Sequence, residues 1–172
     1  MKATSHSLIL SALAAAITTA ACANAAPGDD TTGTARTEAT QNDTYLDAPQ
    51  TPGTWEYEDE PGEKLALFGV NPRQPIFLIR CGDGVIALGR VTEEAQTETR
   101  AMRVTTETVT SQLEAGPVPP MPRILAADLQ PNDPLLDAMA ITKGRFRIEV
   151  EGFETLYLPA WTEVSRVIED CR

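Results

Sequence analysis

The chain has 172 residues, with 14 Lys and Arg against 25 Asp and Glu, which gives a formal net charge of −11 at pH 7. Nucleic-acid binding is disfavoured by this balance, because it depends on Lys and Arg that neutralise phosphates. The single histidine, His6, falls in a predicted signal segment, so catalysis or zinc and copper binding through histidine is not expected in the rest of the chain.

Residues 1–25 have the layout of a bacterial secretory signal. Lys2 precedes an apolar run from Leu8 to Ala21, and small residues follow that run. The apolar run is shorter than the roughly 20 residues that a membrane-spanning helix needs. We therefore predict export to the periplasm or beyond, with 1–25 as a signal peptide.

Cys22 allows two cleavage schemes. Thr19-Ala20-Ala21-Cys22 resembles a lipoprotein site, in which a small residue precedes an acylated cysteine, although Thr19 replaces the usual leucine. Alternatively, cleavage follows Ala25 at the small-x-small site Ala23-Asn24-Ala25. We favour lipidation of Cys22 and an outer-membrane tether, and the alternative is a soluble periplasmic or secreted protein.

The two remaining cysteines, Cys81 and Cys171, are expected to form a disulfide. Either cleavage scheme removes Cys22 from the free thiols, and pairs of cysteines in exported proteins usually oxidise. A bridge closing a loop of about 90 residues would stabilise the fold by about 4–5 kcal/mol. A redox-active pair would need closer spacing, such as C-x-x-C.

Composition divides the rest of the chain into a linker and one domain. Residues 26–52 are rich in Thr, Ala, Asp, Gly and Pro, which predicts a flexible acidic tether. Tyr45 and Leu46 could dock onto the domain, but we favour a solvated linker. Residues 53–172 have an ordinary length for a single domain.

The first part of the domain predicts short strands in succession. These strands cover residues 55–58, 64–70, 76–81, 85–91, 100–108 and 110–114. Gly82-Asp83-Gly84 predicts a three-residue hairpin turn between the third and fourth of them. The four prolines of residues 116–122 argue against a central strand there, and residues 123–129 are compatible with another strand.

The second part predicts two helices around further strands. Asp133 is expected to cap a short helix that begins at Pro134. Residues 145–151 alternate in polarity and predict a strand, and residues 153–158 predict the next one. Pro159 is expected to start the last helix, with Trp161 as its main buried anchor.

These seven or eight strands predict a mainly β fold. The alternation in polarity is typical of antiparallel strands with one face in water. We expect a β-sandwich or small barrel with one short internal helix and a C-terminal helix. The alternative is a single α+β sheet covered by the terminal helix.

Arginines are the candidate binding residues. Six of them fall on predicted strands: Arg80, Arg90, Arg100, Arg103, Arg145 and Arg147. If several converge, with Arg80, Arg90, Arg145 and Arg147 as the first candidates, they could hold an anion. Pairing with glutamates on the wet face is the interpretation we favour. No phosphate-binding loop is present, and we predict no catalytic residue, no metal ligand and no cofactor.

Parts of the chain resemble known exported proteins. The stretches at 140–150, 156–161 and 166–172 resemble small exported proteins and lipoproteins of Gram-negative alphaproteobacteria. The placement of Trp55, Cys81 and Cys171 is loosely similar to the invasion-associated protein B family and to a type VI secretion-associated periplasmic β family. This resemblance implies a disulfide-bridged β-sandwich with an envelope role, and it carries over no catalytic residue.

Together these features predict a non-enzymatic structural or interaction module of the cell envelope. Its partner would be another envelope protein, and it would reach the membrane only through a lipid on Cys22. The alternative is a periplasmic β-domain that binds a small ligand.

Overall fold

The computed structural model describes residues 45–71 and 73–172. The predicted signal, Cys22 and most of the predicted linker lie outside the described residues. Within them, residues 45–47 are helical. Nine strands and two longer helices follow: β1 (Thr54–Glu60), β2 (Glu63–Gly69), β3 (Phe77–Gly82), β4 (Val85–Val91), β5 (Arg100–Thr105), β6 (Thr110–Val118), β7 (Met121–Leu129), α1 (Pro134–Ile141), β8 (Arg145–Val150), β9 (Leu156–Pro159) and α2 (Thr162–Glu169).

The nine strands form one antiparallel sheet in the order β1-β2-β3-β4-β7-β6-β5-β8-β9. The predicted mainly β fold with antiparallel strands and two short helices is confirmed. The strands form the single sheet that we gave as the alternative to a sandwich or small barrel. This sheet stays open, because β1 and β9 do not pair as strands. No helix of the described ranges has the length and apolar character that crossing a membrane requires.

The core lies between the inner face of the sheet and the two helices. Along β8 the side chains of Phe146, Ile148 and Val150 are almost fully buried, as the alternating pattern predicts. α2 packs against α1 and against β1, β2 and β3. The helices therefore cover the inner face near the β1 edge, and much of the outer face of the sheet remains in contact with solvent.

The β3–β4 hairpin is tighter than predicted. Gly82 pairs with Val85, so the turn contains only Asp83 and Gly84. Both residues have positive φ, at 55° and 76°. This geometry matches the twist of the flanking strands, and Asp-Gly is a favoured sequence for it.

The proline-rich stretch does enter central strands, contrary to our prediction. β6 continues through Pro117, which pairs with Leu125 of β7, and both strands lie in the middle of the sheet. The pairing tolerates this proline because the register shifts between Pro117 and Val118, where the regular ladder is interrupted. Pro119 and Pro120 then form the connection to β7.

The start of α1 is as predicted, and that of α2 is not. Asp133 caps α1 by accepting a hydrogen bond from the backbone N–H of Leu135 at 2.8 Å. Pro159 is the last residue of β9 rather than the first of a helix, and Trp161 is the N-cap of α2. Trp161 is 42% exposed, so the prediction that it anchors the helix in the core is wrong.

The end of the chain is fixed by a disulfide and by Arg172. Cys81 and Cys171 are bonded, with 5.6 Å between their Cα atoms, which confirms the predicted pairing. Arg172 contacts both helices, because its guanidinium reaches Asp137 of α1 at 2.6 Å and Glu169 of α2 at 3.3 Å. These contacts tie α2 to β3 and to α1 just beyond its last turn.

Candidate binding sites

The four arginines proposed as binding residues do not converge. Arg80, on β3, forms ion pairs with Glu63 at 3.2 Å and Asp83 at 3.8 Å. Its charge is therefore neutralised on the β2–β3 and β3–β4 hairpins, as expected for arginines that pair with acidic residues.

Arg90 has a structural role at the end of β4. Its Nη1 donates hydrogen bonds to the carbonyl oxygens of Ile76 at 2.7 Å and Val91 at 3.3 Å. Burial lowers the pKa of Arg90, and the charge of Glu154 opposes that change. The side chain thus fixes the segment that leads into β3.

Arg145 and Arg147 hold the segment that precedes β1. Arg145 Nη1 donates to the carbonyl of Ala48, and the Arg147 guanidinium lies 5.6 Å from the ring centroid of Tyr45. That distance is within the range of a cation–π interaction. Tyr45 is 2% exposed, so it docks on the domain and is not solvated as we had favoured.

The environment of Tyr45 is mixed in charge. Burial raises the pKa of its hydroxyl, the charge of Glu107 raises it further, and Arg147 lowers it. Arg145 and Arg147 thus contact this segment, whereas Arg80 and Arg90 contact other parts of the sheet.

A pocket of about 310 Å³ lies elsewhere, on the outer face of β5, β6 and β8. Arg103 of β5 stands in register with Gln112 of β6 and Glu149 of β8, so the three side chains share one face. The contact between β5 and β8 continues one residue beyond β8, because the backbone N–H of Glu151 donates to the carbonyl of Ala101 at 3.1 Å.

The pocket combines one uncommitted cation with two carboxylates. Arg103 is exposed and makes no ion pair with any residue of the described ranges. Glu149 lies 3.2 Å from Arg147 Nε, and its side chain remains 35% exposed. Glu151 is also exposed. Arg103 was one of the six arginines noted from sequence, but only the strand register brings it beside Gln112 and Glu149.

A second candidate surface is apolar and lies where α1 meets α2. Ile141 is 74% exposed and Trp161 is 42% exposed. Two hydrogen bonds join the surrounding segments: Ser165 Oγ of α2 donates to the carbonyl of Ala140 of α1 at 3.2 Å, and Ala160 N–H donates to the carbonyl of Gly144 at 3.0 Å. We call Ile141 and Trp161 the apolar pair.

The described residues hold no group of three or more His, Cys, Asp and Glu side chains arranged to bind a metal ion. Comparisons with protein-family models, with curated proteins and with solved structures find no match to this chain. The resemblance to the two periplasmic β families therefore stays a prediction.

Proposed function

We propose that this protein is a non-enzymatic interaction module of the cell envelope, which binds another envelope protein through the apolar pair. The observation that carries the proposal is the exposure of Ile141 and Trp161 beside the α1–α2 contact. Trp is enriched among the residues that dominate protein interfaces, because it buries a large area with little loss of side-chain freedom.

The position of the apolar pair supports a binding role over a structural one. The residues that anchor α2 in the core are Val164, Val167 and Ile168, all of them fully buried. Trp161, at 42% exposure, is not part of this buried face. Single exposed apolar residues are common, whereas exposed apolar surface gathered in one place is typical of interaction sites.

Export is supported by the disulfide together with the signal-like sequence. Cys81 and Cys171 are bonded, and such bonds persist mainly in oxidising compartments. We infer that Cys22 carries the lipid. Intact-mass analysis of the mature protein should find an acylated Cys22, and an unmodified chain beginning at Ala26 would contradict this part of the proposal.

Photo-crosslinking in cells tests the interface. A photoreactive phenylalanine analogue in place of Trp161 should give one discrete crosslinked species, which Ile141→Glu should remove. The same analogue in place of Val70 is the matched control, because Val70 is an apolar residue that is 80% exposed directly after β2, outside the apolar pair. Equal crosslinking from both positions, or none from position 161, would contradict the proposed interface.

A further inference from the structure

We propose that the pocket on β5, β6 and β8 binds a small zwitterion of amino-acid to dipeptide size. Arg103 would hold the carboxylate of the ligand, and Glu149 and Glu151 would hold its ammonium group. This site is separate from the apolar pair, and the proposal does not depend on the protein interface.

Arg103 is the group that selects a carboxylate. Two other arginines of the sheet are already paired, Arg80 with Glu63 and Arg147 with Glu149. Arg103 has no such partner among the described residues and points to the same side as the pocket lining. Its planar guanidinium presents parallel N–H donors that match the two oxygens of a carboxylate.

The carboxylates at the other side of the pocket select a cation. Glu149 shares its negative charge with Arg147 but keeps part of its side chain exposed to the pocket. Glu151 is exposed and makes no ion pair within residues 45–71 and 73–172. An ammonium group placed between them would gain charge-assisted hydrogen bonds.

The presence of both positive and negative side chains in the pocket disfavours ligands that carry only one kind of charge. A plain anion attracted by Arg103 would be repelled by Glu151, and a plain cation attracted by Glu151 would be repelled by Arg103. A molecule with both charges satisfies both sides at once. Gln112, which can donate and accept hydrogen bonds, suits the peptide or carboxyl group of such a ligand.

The dimensions set the size of the ligand. Ligand sites usually enclose roughly 300–1,000 Å³, and this pocket of about 310 Å³ is at the lower end. Phe153 and Ala101 provide apolar wall beside the charged groups. A free amino acid or a dipeptide with a small side chain therefore fits the space, and a longer peptide would extend into solvent.

Binding of alanyl-alanine to the full-length protein, measured by calorimetry and by NMR shift changes, tests the proposal. Saturable binding is expected, with the largest shift changes at residues 101–103 and 149–155. Acetylating the amine or amidating the carboxylate of the dipeptide should each weaken binding by about tenfold or more, since each removes a charge-assisted contact.

Variants locate the site. Arg103→Gln should weaken binding of the free dipeptide by about tenfold or more and leave binding of the C-terminal amide unchanged. Arg123→Gln is the matched control, because Arg123 is exposed on β7 and does not line the pocket. Glu151→Gln provides a second variant whose effect should be confined to ligands with a free amine. Circular dichroism establishes that each variant is folded.

The proposal is overturned if the wild-type protein shows saturable binding of neither the dipeptide nor a free amino acid at millimolar concentration. It is also overturned if the capped dipeptides bind as well as the free one, or if Arg103→Gln and Arg123→Gln behave alike. Binding to a free amino acid and not to the dipeptide would support the site and restrict the ligand to the smaller class.

Discussion

At the scale of single residues, Tyr57 connects the edge strand β1 to the end of α2. Its hydroxyl donates a hydrogen bond to Asp170 Oδ2, and the Arg166 guanidinium lies 3.9 Å from the centroid of its ring. Burial of the hydroxyl and the nearby Asp170 carboxylate raise the pKa of Tyr57 to about 12 from its usual 10.0. The folded protein therefore retains the phenol proton more firmly than the unfolded chain does.

This difference predicts a loss of stability in alkali. Because the folded pKa lies above the unfolded one, the stabilisation is complete below about pH 10 and disappears as pH rises through about 12. Tyr57→Phe should lower the free energy of unfolding by about 1 kcal/mol at pH 7 and make its decline between pH 10 and 12 shallower. Urea unfolding at a series of pH values measures both effects.

Tyr157→Phe is the control for that measurement. Tyr157 contributes backbone hydrogen bonds to Thr51, and these do not depend on its phenol. Its substitution should therefore not reproduce the loss of about 1 kcal/mol at pH 7 that is expected for Tyr57→Phe. Part of the decline should persist in Tyr57→Phe, because burial also raises the pKa of Tyr45. An unchanged decline in Tyr57→Phe would show that Tyr57 is not the titrating group.

At the scale of elements, α2 is held at its end by the disulfide and along its length by buried side chains. Cys171 lies two residues beyond the helix and is bonded to Cys81 of β3. Val164, Val167 and Ile168 form its buried face. The bridge is a covalent link at the end of the helix, whereas these side chains pack along it, so each attachment can be removed by its own substitution.

Removing the bridge should destabilise the whole domain. Cys81→Ser and Cys171→Ser are each expected to lower the free energy of unfolding by about 2–5 kcal/mol, because the bridge joins residues 90 positions apart. Chemical unfolding measures the loss, and the double variant should resemble either single one. Two free thiols in the unreduced wild-type protein would contradict the bond.

Substitutions along α2 should distinguish its buried face from its exposed start. Ile168→Ala should lower the free energy of unfolding by about 2–5 kcal/mol, because Ile168 is fully buried in the core. Trp161→Ala should lower it by less than about 1 kcal/mol, since the side chain is 42% exposed. Thermal unfolding of the two variants tests this order, and a larger effect at Trp161 would reverse the assignment of the anchor.

Local patterns predicted the elements better than their boundaries. The period of two in β8 identified Phe146, Ile148 and Val150 as buried, and the Asp133 cap marked the start of α1. The start of α2 was predicted wrongly at Pro159, because a proline fits the end of an edge strand as well as the start of a helix. The misassigned start then placed Trp161 on the apolar stripe of the helix.

The candidate site was harder to predict, because it depends on long-range register. Arg103, Gln112 and Glu149 lie on three strands, and only the pairing of those strands places them side by side. Nothing local distinguishes Arg103 from arginines that are already paired. Likewise, the docking of Tyr45 depends on Arg147, which is remote in sequence.

At the scale of the whole molecule, the two edges of the open sheet are linked by side chains and by the segment before β1. The indole N–H of Trp55 donates to the carbonyl of Pro159 at 2.7 Å, and Thr51 N–H donates to the carbonyl of Tyr157 at 3.0 Å. Gly53 permits the turn between these contacts: its φ is 146°, and a side chain there would meet the backbone of Gly69.

Trp55 is the central part of this linkage. Its ring is 6% exposed and packs against Phe68 of β2, with 5.1 Å between ring centroids, and against Phe146 of β8 at 6.4 Å. A single side chain thus contacts strands from both ends of the sheet. We expect the curvature of the sheet and the protection of both edges to depend on it.

Trp55→Phe tests that expectation while retaining an aromatic ring. The variant removes the buried indole donor and leaves the Pro159 carbonyl without it, which should lower the free energy of unfolding by about 1–3 kcal/mol. Amide hydrogen exchange should accelerate in β1 and β9 more than in the central strands β4 and β7, because the edges lose their link while the ladder between inner strands is intact. Trp161→Phe is the matched control and should change neither quantity, since Trp161 is partly exposed and makes no side-chain cap. Uniform acceleration across all strands would mean that Trp55 stabilises the core as a whole and does not specifically join the two edges.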